Sequence, residues 1–475
     1  MKYPGIFFIY FFIAASLSCC AQQNPDSISY VHIRNVIIKG NKTTKDYIIL
    51  REAQLKANDS IVAALMPGRL EQSRKNIYNT SLFNEVKITA ELIDTAITDI
   101  LIEVKERWYI FPTPQFQPVD RNINEWLKTY HADLQRVNYG IKFVHYNLSG
   151  RRDQLRIYLL NGYTRNISFS YSAPYSNTSL TEGFSVGGGF SQNREVDYNI
   201  SYDNRITSFF PLVKDKSFIG SFVRNNYFLN LGYAIRKGIF NRHTFFAGYN
   251  YQKVDDSVAR FYNPNYFRDG ADSRQFVDLV YTFNHADVNN INYPLTGNTY
   301  YFSVLKRGFG FNGGVNMLSL EGGYNKYFDL HRNWYAGIGM QAKIKLPFDQ
   351  AYINQRGLGF GEAYLRGLEY YIIDGVAYSL ARTTLKKKIL SFKLPMPFKS
   401  KSHPYIPFTF YAKTYGDVGY SYNKKQYDTY LNNRFLYTGG FGIDIFTFYD
   451  LNMRFEYSFN QLGEKGLFLH TQSGF

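Results

Sequence analysis

The stretch RQFVDLVYTFNHADVNNINYPLTGNTYYFSVLKRG, residues 274–308, decides the fold. Within it, 274–285 and 298–308 alternate apolar and polar residues and are rich in Tyr, Phe and Val, the signature of two strands. Between them Asp287 leads into Tyr293-Pro294-Leu295-Thr296-Gly297. Proline fixes φ, and glycine takes backbone angles that other residues resist, so this is a tight turn.

The same pattern extends in both directions. From Arg107 onward no helical periodicity is convincing, and aromatic alternating segments recur. They fall at 107–116, 137–147, 152–162, 163–173, 182–195, 217–236, 242–253 and 274–285, then at 298–308, 315–327, 333–346, 375–391, 405–419, 435–447, 450–460 and 466–475. Sixteen is an even number, and strands of ~10 alternating residues are those of a transmembrane antiparallel β-barrel. Connector lengths agree. If the first strand leaves the periplasm, the short connectors Asn147–Arg151, Arg236–Asn241, Leu330–Asn333 and Phe446–Asp450 lie inside. The long ones, Pro118–Arg136, Val254–Ser273 and Pro347–Asp374, then lie outside. Two connectors break the rule. Ser391–Tyr405, with Pro395, Pro397 and Pro404, is long for an inside turn, and the outside turn near Asn161 has almost no length. The alternative is a soluble sandwich or propeller, but no blade-length repeat is visible.

Composition narrows the class. The 475 residues include 43 Tyr and 41 Phe, and the formal charge is +16. A hydrophobic fraction of 45% and a mean hydropathy of −0.32 exclude a polytopic helical membrane protein but not a barrel. Lys2 and the apolar run Ile6 to Ala15 read as an export signal, too short to span. It is cleaved after Ala21, or the chain is lipidated at Cys19 or Cys20. Cleavage leaves a mature chain without cysteine, hence without a disulfide, a thiolate metal site or a thiol nucleophile.

Ahead of the strands lies a small α+β segment. YVHIRNVIIKGN (30–41) is an alternating strand closed by Gly40-Asn41. Thr43 or Thr44 caps a helix running through Leu55. Pro67-Gly68 breaks the chain, and a second helix covers about Arg69 to Asn79. Two strands follow at 82–92 and 97–108, the first opening on Leu82-Phe83-Asn84-Glu85-Val86. This βααββ order, with Gly40-Asn41 and Leu82-Phe83, resembles a POTRA domain over about Tyr30 to Glu106. POTRA modules bind partly by strand addition at a sheet edge.

Three stretches of the barrel carry the same resemblance. Asp287…Pro294-Leu295-Thr296-Gly297 is similar to the Asp…Pro-x-x-Gly periplasmic turn of the BamA/TamA superfamily of outer-membrane assembly proteins. Tyr364-Leu365-Arg366-Gly367-Leu368-Glu369 resembles the Arg-Gly motif of the loop that folds back into the lumen, with Leu368 where an aromatic is usual. Tyr415-Gly416-Asp417-Val418-Gly419 resembles the aromatic-x-Asp-x-Gly strand motif. The resemblance implies a contact between Arg366 and Asp417. A guanidinium holds a carboxylate through two parallel hydrogen bonds, which would anchor a loop that is entropically costly to order.

It also implies a function. The seam, Arg107–Phe116 against Gly466–Phe475, opens sideways and templates incoming strands, with Phe475 ending a β-signal-like strand. Pro112 and Pro114 donate no ladder bonds, and Gly463, Gly466 and Gly474 weaken the last strand. The expected protein is a non-enzymatic insertase in the bacterial outer membrane, its POTRA domain in the periplasm. Its partners are outer-membrane lipids, unfolded outer-membrane protein clients, and periplasmic chaperones or accessory lipoproteins. The alternative is a polypeptide-secretion pore of the two-partner type. A barrel phospholipase would need a Ser-His pair, and His32, His131, His145, His243, His285, His331, His403 and His470 are scattered. No cofactor, metal or nucleic acid is expected. The basic residues Lys386-Lys387-Lys388 and Lys399-Ser400-Lys401 flank an expected periplasmic turn, and Arg151-Arg152 sits on another; basic residues on turns and lumen walls attract anionic lipid heads or line a pore.

Overall fold

The computed structural model describes residues 29–118, 126–127, 131–204, 208–211, 221–311, 314–397, 404–424 and 429–472. The export signal, Gly474 and Phe475 lie outside the described residues.

The first unit holds β1 (Tyr30–Lys39), α1 (Asp46–Glu52), β2 (Ser60–Val62), α2 (Met66–Tyr78), β3 (Phe83–Asp94) and β4 (Ile97–Glu106). The sheet order is β2-β1-β4-β3, with β1 parallel to β4. Ile33, Ile48, Ile49, Leu55, Ile77, Phe83, Ile100 and Ile102 form its core. The sequence reading errs at three points here. Lys45, and neither Thr43 nor Thr44, stands at the N-cap of α1, with no side-chain cap bond. Pro67 and Gly68 do not break the chain but lie in the first turn of α2, where a missing N–H costs no helical bond. The first helix stops at Glu52 rather than Leu55.

The second unit is a sixteen-stranded antiparallel barrel. Its strands are β5 (Ile110–Pro118), β6 (Val137–His145), β7 (Gln154–Gly162), β8 (Thr164–Ala173) and β9 (Glu182–Asn193). After a small pair in the next connector, β10 (Val196–Asn199) and β11 (Ser208–Phe210), come β12 (Arg224–Ile235), β13 (Asn241–Val254), β14 (Ser273–Val288) and β15 (Gly297–Arg307). The last seven are β16 (Met317–Asp329), β17 (Trp334–Leu346), β18 (Ala377–Pro395), β19 (Tyr405–Tyr422), β20 (Phe435–Thr447), β21 (Asn452–Asn460) and β22 (Lys465–Gln472). Each barrel strand pairs with its sequence neighbour, β9 with β12 across the small pair. The period-2 alternation sorts side chains: on β12, Tyr227, Leu229, Leu231 and Tyr233 face outward and are exposed. The foot of β5 reaches the turn that leads into the last hairpin, β21–β22. The Phe111 ring lies 5.9 Å from that of Tyr449, in the turn before β21, and Trp108 N donates to Tyr449 Oη at 3.1 Å.

The two connectors that broke the length rule resolve differently. Tyr163 alone separates β7 from β8. Ser391–Tyr405 is not a long turn, because β18 runs on to Pro395 and pairs there with Tyr405 of β19. Lys386, Lys387 and Lys388 accordingly lie within β18, ahead of that turn, while Lys399 and Lys401 lie outside the described residues.

Candidate functional site

The connector between β17 and β18 folds into the barrel. Leu358, Ala363, Leu365, Leu368, Tyr371 and Ile373 pack against Tyr378, Leu380, Leu431 and Leu436. This apolar knot presents Arg366 to β19. Arg366 Nε donates to Asp417 Oδ2 at 2.9 Å, its Nη2 donates to Oδ1, and its backbone N donates to Oδ2 at 3.0 Å. Nη1 reaches Thr384 Oγ1 and Nη2 the Thr383 carbonyl. The guanidinium carbon sits 4.1 Å from the Tyr415 ring centroid. Asp417 is wholly buried, with Arg366 as its ion-pair partner.

Gly367 has φ +96°, and a Cβ there would lie 2.8 Å from Ser458 Cβ on β21, so only glycine lets the loop approach this wall. Its N–H donates to Glu369 Oε2 at 2.6 Å, and its carbonyl accepts from Asn460 Nδ2. Gly419 leaves space for Leu365, whose Cδ1 would lie 2.9 Å from a Cβ. Glu369 Oε1 is 3.3 Å from His470 Nε2, which is also 3.3 Å from Glu456 Oε2. The loop thereby reaches the last strand, a link the scattered histidines gave no reason to expect.

Next to this anchor is a buried charge network. Lys413 Nζ lies 2.5 Å from both Asp444 Oδ1 and Glu456 Oε1, and Lys386 Nζ lies 3.2 Å from Asp444 Oδ2. The lumen keeps a cavity of about 580 Å³, bordered by Glu321, Glu362, Arg366, Arg382 and Lys386.

The turn after β14 enters this network too. Gly297, at φ +103°, closes it; a Cβ there would meet the Asp287 carbonyl at 2.0 Å. Asp287 pairs with Asn298 across the hairpin. Pro294 follows Tyr293, whose hydroxyl donates to Asp444 Oδ2 at 2.8 Å from inside the lumen.

The POTRA-like unit sits against the periplasmic turns. Gly40 follows β1, Asn41 Nδ2 donates to the Thr44 carbonyl, and Phe83 is in the core. Leu82 presents its carbonyl to Arg107 N at 2.9 Å and Tyr109 Oη at 3.1 Å. Arg107, expected as the first seam residue, is instead a buried hinge between β4 and β5. Its Nη2 lies 2.6 Å from Asp450 Oδ2. Asp450 also accepts from Tyr78 Oη, Asn290 Nδ2 and Asn292 Nδ2. Burial pushes its carboxyl up, but Arg107 and these donors outweigh burial and hold its pKa below the ordinary range. On the other side Glu52 lies 2.5 Å from Arg236 and 2.8 Å from Arg51. Burial raises its pKa, and the attraction of Arg236, then Arg51 and Arg152, brings it below normal.

The seam lies between β5 and β22, the end strands of the sheet. Tyr146 N donates to the Tyr109 carbonyl at 2.9 Å, one step below the constant β5–β6 register. Bonded antiparallel pairs recur every second residue, so Phe111, Thr113 and Gln115 bond to β6. Residues 110, 112, 114, 116 and 118 therefore turn their backbone groups toward β22. Three of these five are Pro112, Pro114 and Pro118, so the seam edge of β5 keeps its carbonyls but only two N–H groups, those of Ile110 and Phe116. Phe116 points outward and is 66% exposed, as are Leu467 at 59% and Leu469 at 53% on β22. Gly466 sits beside Lys465 at the extracellular start of β22.

Residues 31–107 match the POTRA family, described as surface antigen variable number repeat. A stretch of 205 residues is 28% identical to the outer membrane protein assembly factor BamA of Neorickettsia risticii (strain Illinois). It covers 43% of this chain and 24% of that protein, so the chain spans about a quarter of the curated relative's length. Among solved structures, BamA from Haemophilus ducreyi lacking POTRA domains 1–3 superposes with a TM-score of 0.50 at 14% identity. The match covers 93% of this chain and 84% of that one. CdiB from Escherichia coli gives 0.49 at 10% identity, covering 96% and 91%.

Proposed function

We propose that this member of the BamA/TamA-like superfamily, an outer-membrane barrel with a periplasmic POTRA domain, inserts client barrels by opening its β5–β22 seam. The observation that carries the reading is the proline-interrupted edge of β5. An antiparallel ladder that lacks three of five donors on one side is a weak closure, because each missing N–H removes a bond worth roughly 0.5–1.5 kcal/mol. An edge that opens exposes backbone groups to which an unfolded client strand can add. The energy comes from client folding, and no covalent step is involved. Clients arrive from the periplasm, delivered by chaperones or accessory lipoproteins, and leave sideways among the outer-membrane lipids. A secretion pore would instead conduct through the lumen, which here holds the Arg366 loop.

A cysteine pair across the seam tests this. Phe111 is at the foot of the barrel beside Tyr449, and β22 ends there, Gln472 opposite Asn452. Counting up from that foot brings Phe116 level with about Leu467. The disulfide between Phe116→Cys and Leu467→Cys should stop assembly of a client barrel in cells, and reductant should restore it. Unchanged assembly with the bond formed would transfer the case to the lumenal pore.

A further inference from the structure

We propose that the periplasmic end of the β18–β19 hairpin is a membrane-surface paddle. It lies in the periplasmic leaflet, with one face in the hydrocarbon and its lysines among anionic lipid phosphates. This rests on the barrel's being embedded, not on the insertase reading.

The hairpin outruns its neighbours. β17 pairs with β18 only as far as Lys387, opposite Trp334, and β20 pairs with β19 only down to Phe408, opposite Thr447. Beyond those points Lys393, Leu394 and Pro395 pair with Pro407, Ile406 and Tyr405 and, among the described residues, are flanked by no other strand. Every residue from Ile389 to Pro395 is exposed.

The sequence of this extension is sorted by face. Above it, outward positions are odd on β18 and even on β19: Ser379 is opposite Tyr420, and Ala381 opposite Val418. A bulge between Lys388 and Leu390 shifts the phase by one residue. Below the bulge the outward pairs are Leu390 with Phe410, Phe392 with Phe408, and Leu394 with Ile406, all apolar. The opposite face carries Ser391, Lys393, Pro395, Tyr405, Pro407 and Thr409. Without the bulge Ser391 and Lys393 would point outward and the leucines inward. The extra residue thus keeps one apolar face continuous with the lipid-facing exterior of the barrel. Phe392 stacks on Phe408 and Phe410 at 5.6 and 5.9 Å, which stiffens that face.

Charge and position select lipid as the occupant. Between Asp374 and Asp417 the sequence holds no acidic residue, whereas Lys387 and Lys393 flank the apolar face. Lys387 Nζ sits 4.6 Å from the Trp334 ring centroid at the rung where the extension begins. Tryptophan and lysine together mark the level of lipid headgroups. A bulge bends its strand, so a hairpin leaving the barrel at this level can lie along the leaflet. An amphipathic surface with lysines on its polar side gains both apolar burial and attraction to anionic heads.

The test uses the chain with Cys19→Ser and Cys20→Ser, otherwise free of cysteine, refolded into vesicles of phosphatidylcholine with phosphatidylglycerol. Single cysteines at Phe392, Leu394, Ser391 and Lys393 carry a fluorophore, and brominated acyl chains are the quencher. Quenching at Phe392→Cys and Leu394→Cys should exceed that at Ser391→Cys and Lys393→Cys at least threefold. It should weaken in pure phosphatidylcholine, or when Lys387 is replaced by glutamine. Retention of the heat-modifiable barrel band on gels shows that each variant is folded. Equal or absent quenching on both faces overturns the proposal. So does protection of Phe392→Cys that appears only when a periplasmic protein fraction is added, which would make the face a protein dock.

Discussion

Restoring donors to the seam edge of β5 should strengthen the closed barrel by a calculable amount. Pro112→Ala and Pro114→Ala each place an N–H where the strand already turns its backbone toward β22. A net ladder bond is worth roughly 0.5–1.5 kcal/mol, so the double variant gains about 1–3 kcal/mol of closure. At about 1.4 kcal/mol per tenfold, the open fraction falls by roughly 5- to 150-fold. Both residues face outward in an extended strand, and alanine fits there without a clash, so the barrel should fold normally. Two readings follow the change. One is the initial rate at which a client barrel acquires its heat-resistant folded form in vesicles. The other is deuterium labelling of the β22 backbone amides that face β5. Both should slow together in the double variant. Phe116→Pro, which removes a further seam donor, should speed labelling. Thr113→Pro sits on the β6 side and should destabilise the barrel without loosening the seam selectively. If the double variant assembles clients and labels at the unchanged rate, the prolines do not limit opening and the reasoning from strand parity fails.

Two further outcomes are expected. Arg366→Met leaves Asp417 buried without its partner, a loss of roughly 3–5 kcal/mol. Limited proteolysis should then cut the 347–376 loop, and adding Asp417→Asn should recover most of the protection. The POTRA contact should loosen in acid. Asp450 and Glu52 both have folded pKa values below their unfolded ones, so their stabilisation is complete above about pH 4.5. It is lost as pH falls through the lower folded values. Hydrogen exchange at α1 and in the 448–451 turn should be flat from pH 7 to about 5 once corrected for intrinsic rates and should rise below 4, and Asp450→Asn should remove part of that dependence.

What the sequence disclosed and what it hid divide along physical lines. All sixteen barrel strands were legible because an aqueous lumen and a lipid exterior impose a period of two on every strand. A one-residue phase slip is invisible to that test, because the alternation resumes on either side of it. For this reason Ser391–Tyr405 reads as an anomalous turn while the structure continues the strands through the bulge at Lys388. The Arg366 and Asp417 motifs sit in stretches whose glycines mark close approach, and Gly367 does let the loop reach Ser458. Asp450 carries no such mark. It looks like an ordinary turn residue, and its role arises only when Arg107, Tyr78, and Asn290 with Asn292 converge on it from three separated segments. Arg107 was misassigned for the same reason: as a strand-edge residue it fits the alternation, but the buried carboxylate opposite it pulls it out of the seam. Tyr293 shows the limit most clearly. Proline and glycine announce a tight turn at 294–297, and local chemistry accounts for that turn fully. Nothing local demands that the preceding tyrosine leave the turn for the lumen. That placement is set by Asp444, more than a hundred residues later, which gains a further buried donor beside Lys413 and Lys386. Turn geometry is a property of four or five consecutive residues, whereas satisfaction of a buried carboxylate is a property of the closed barrel. The first can be read along the chain and the second only across it.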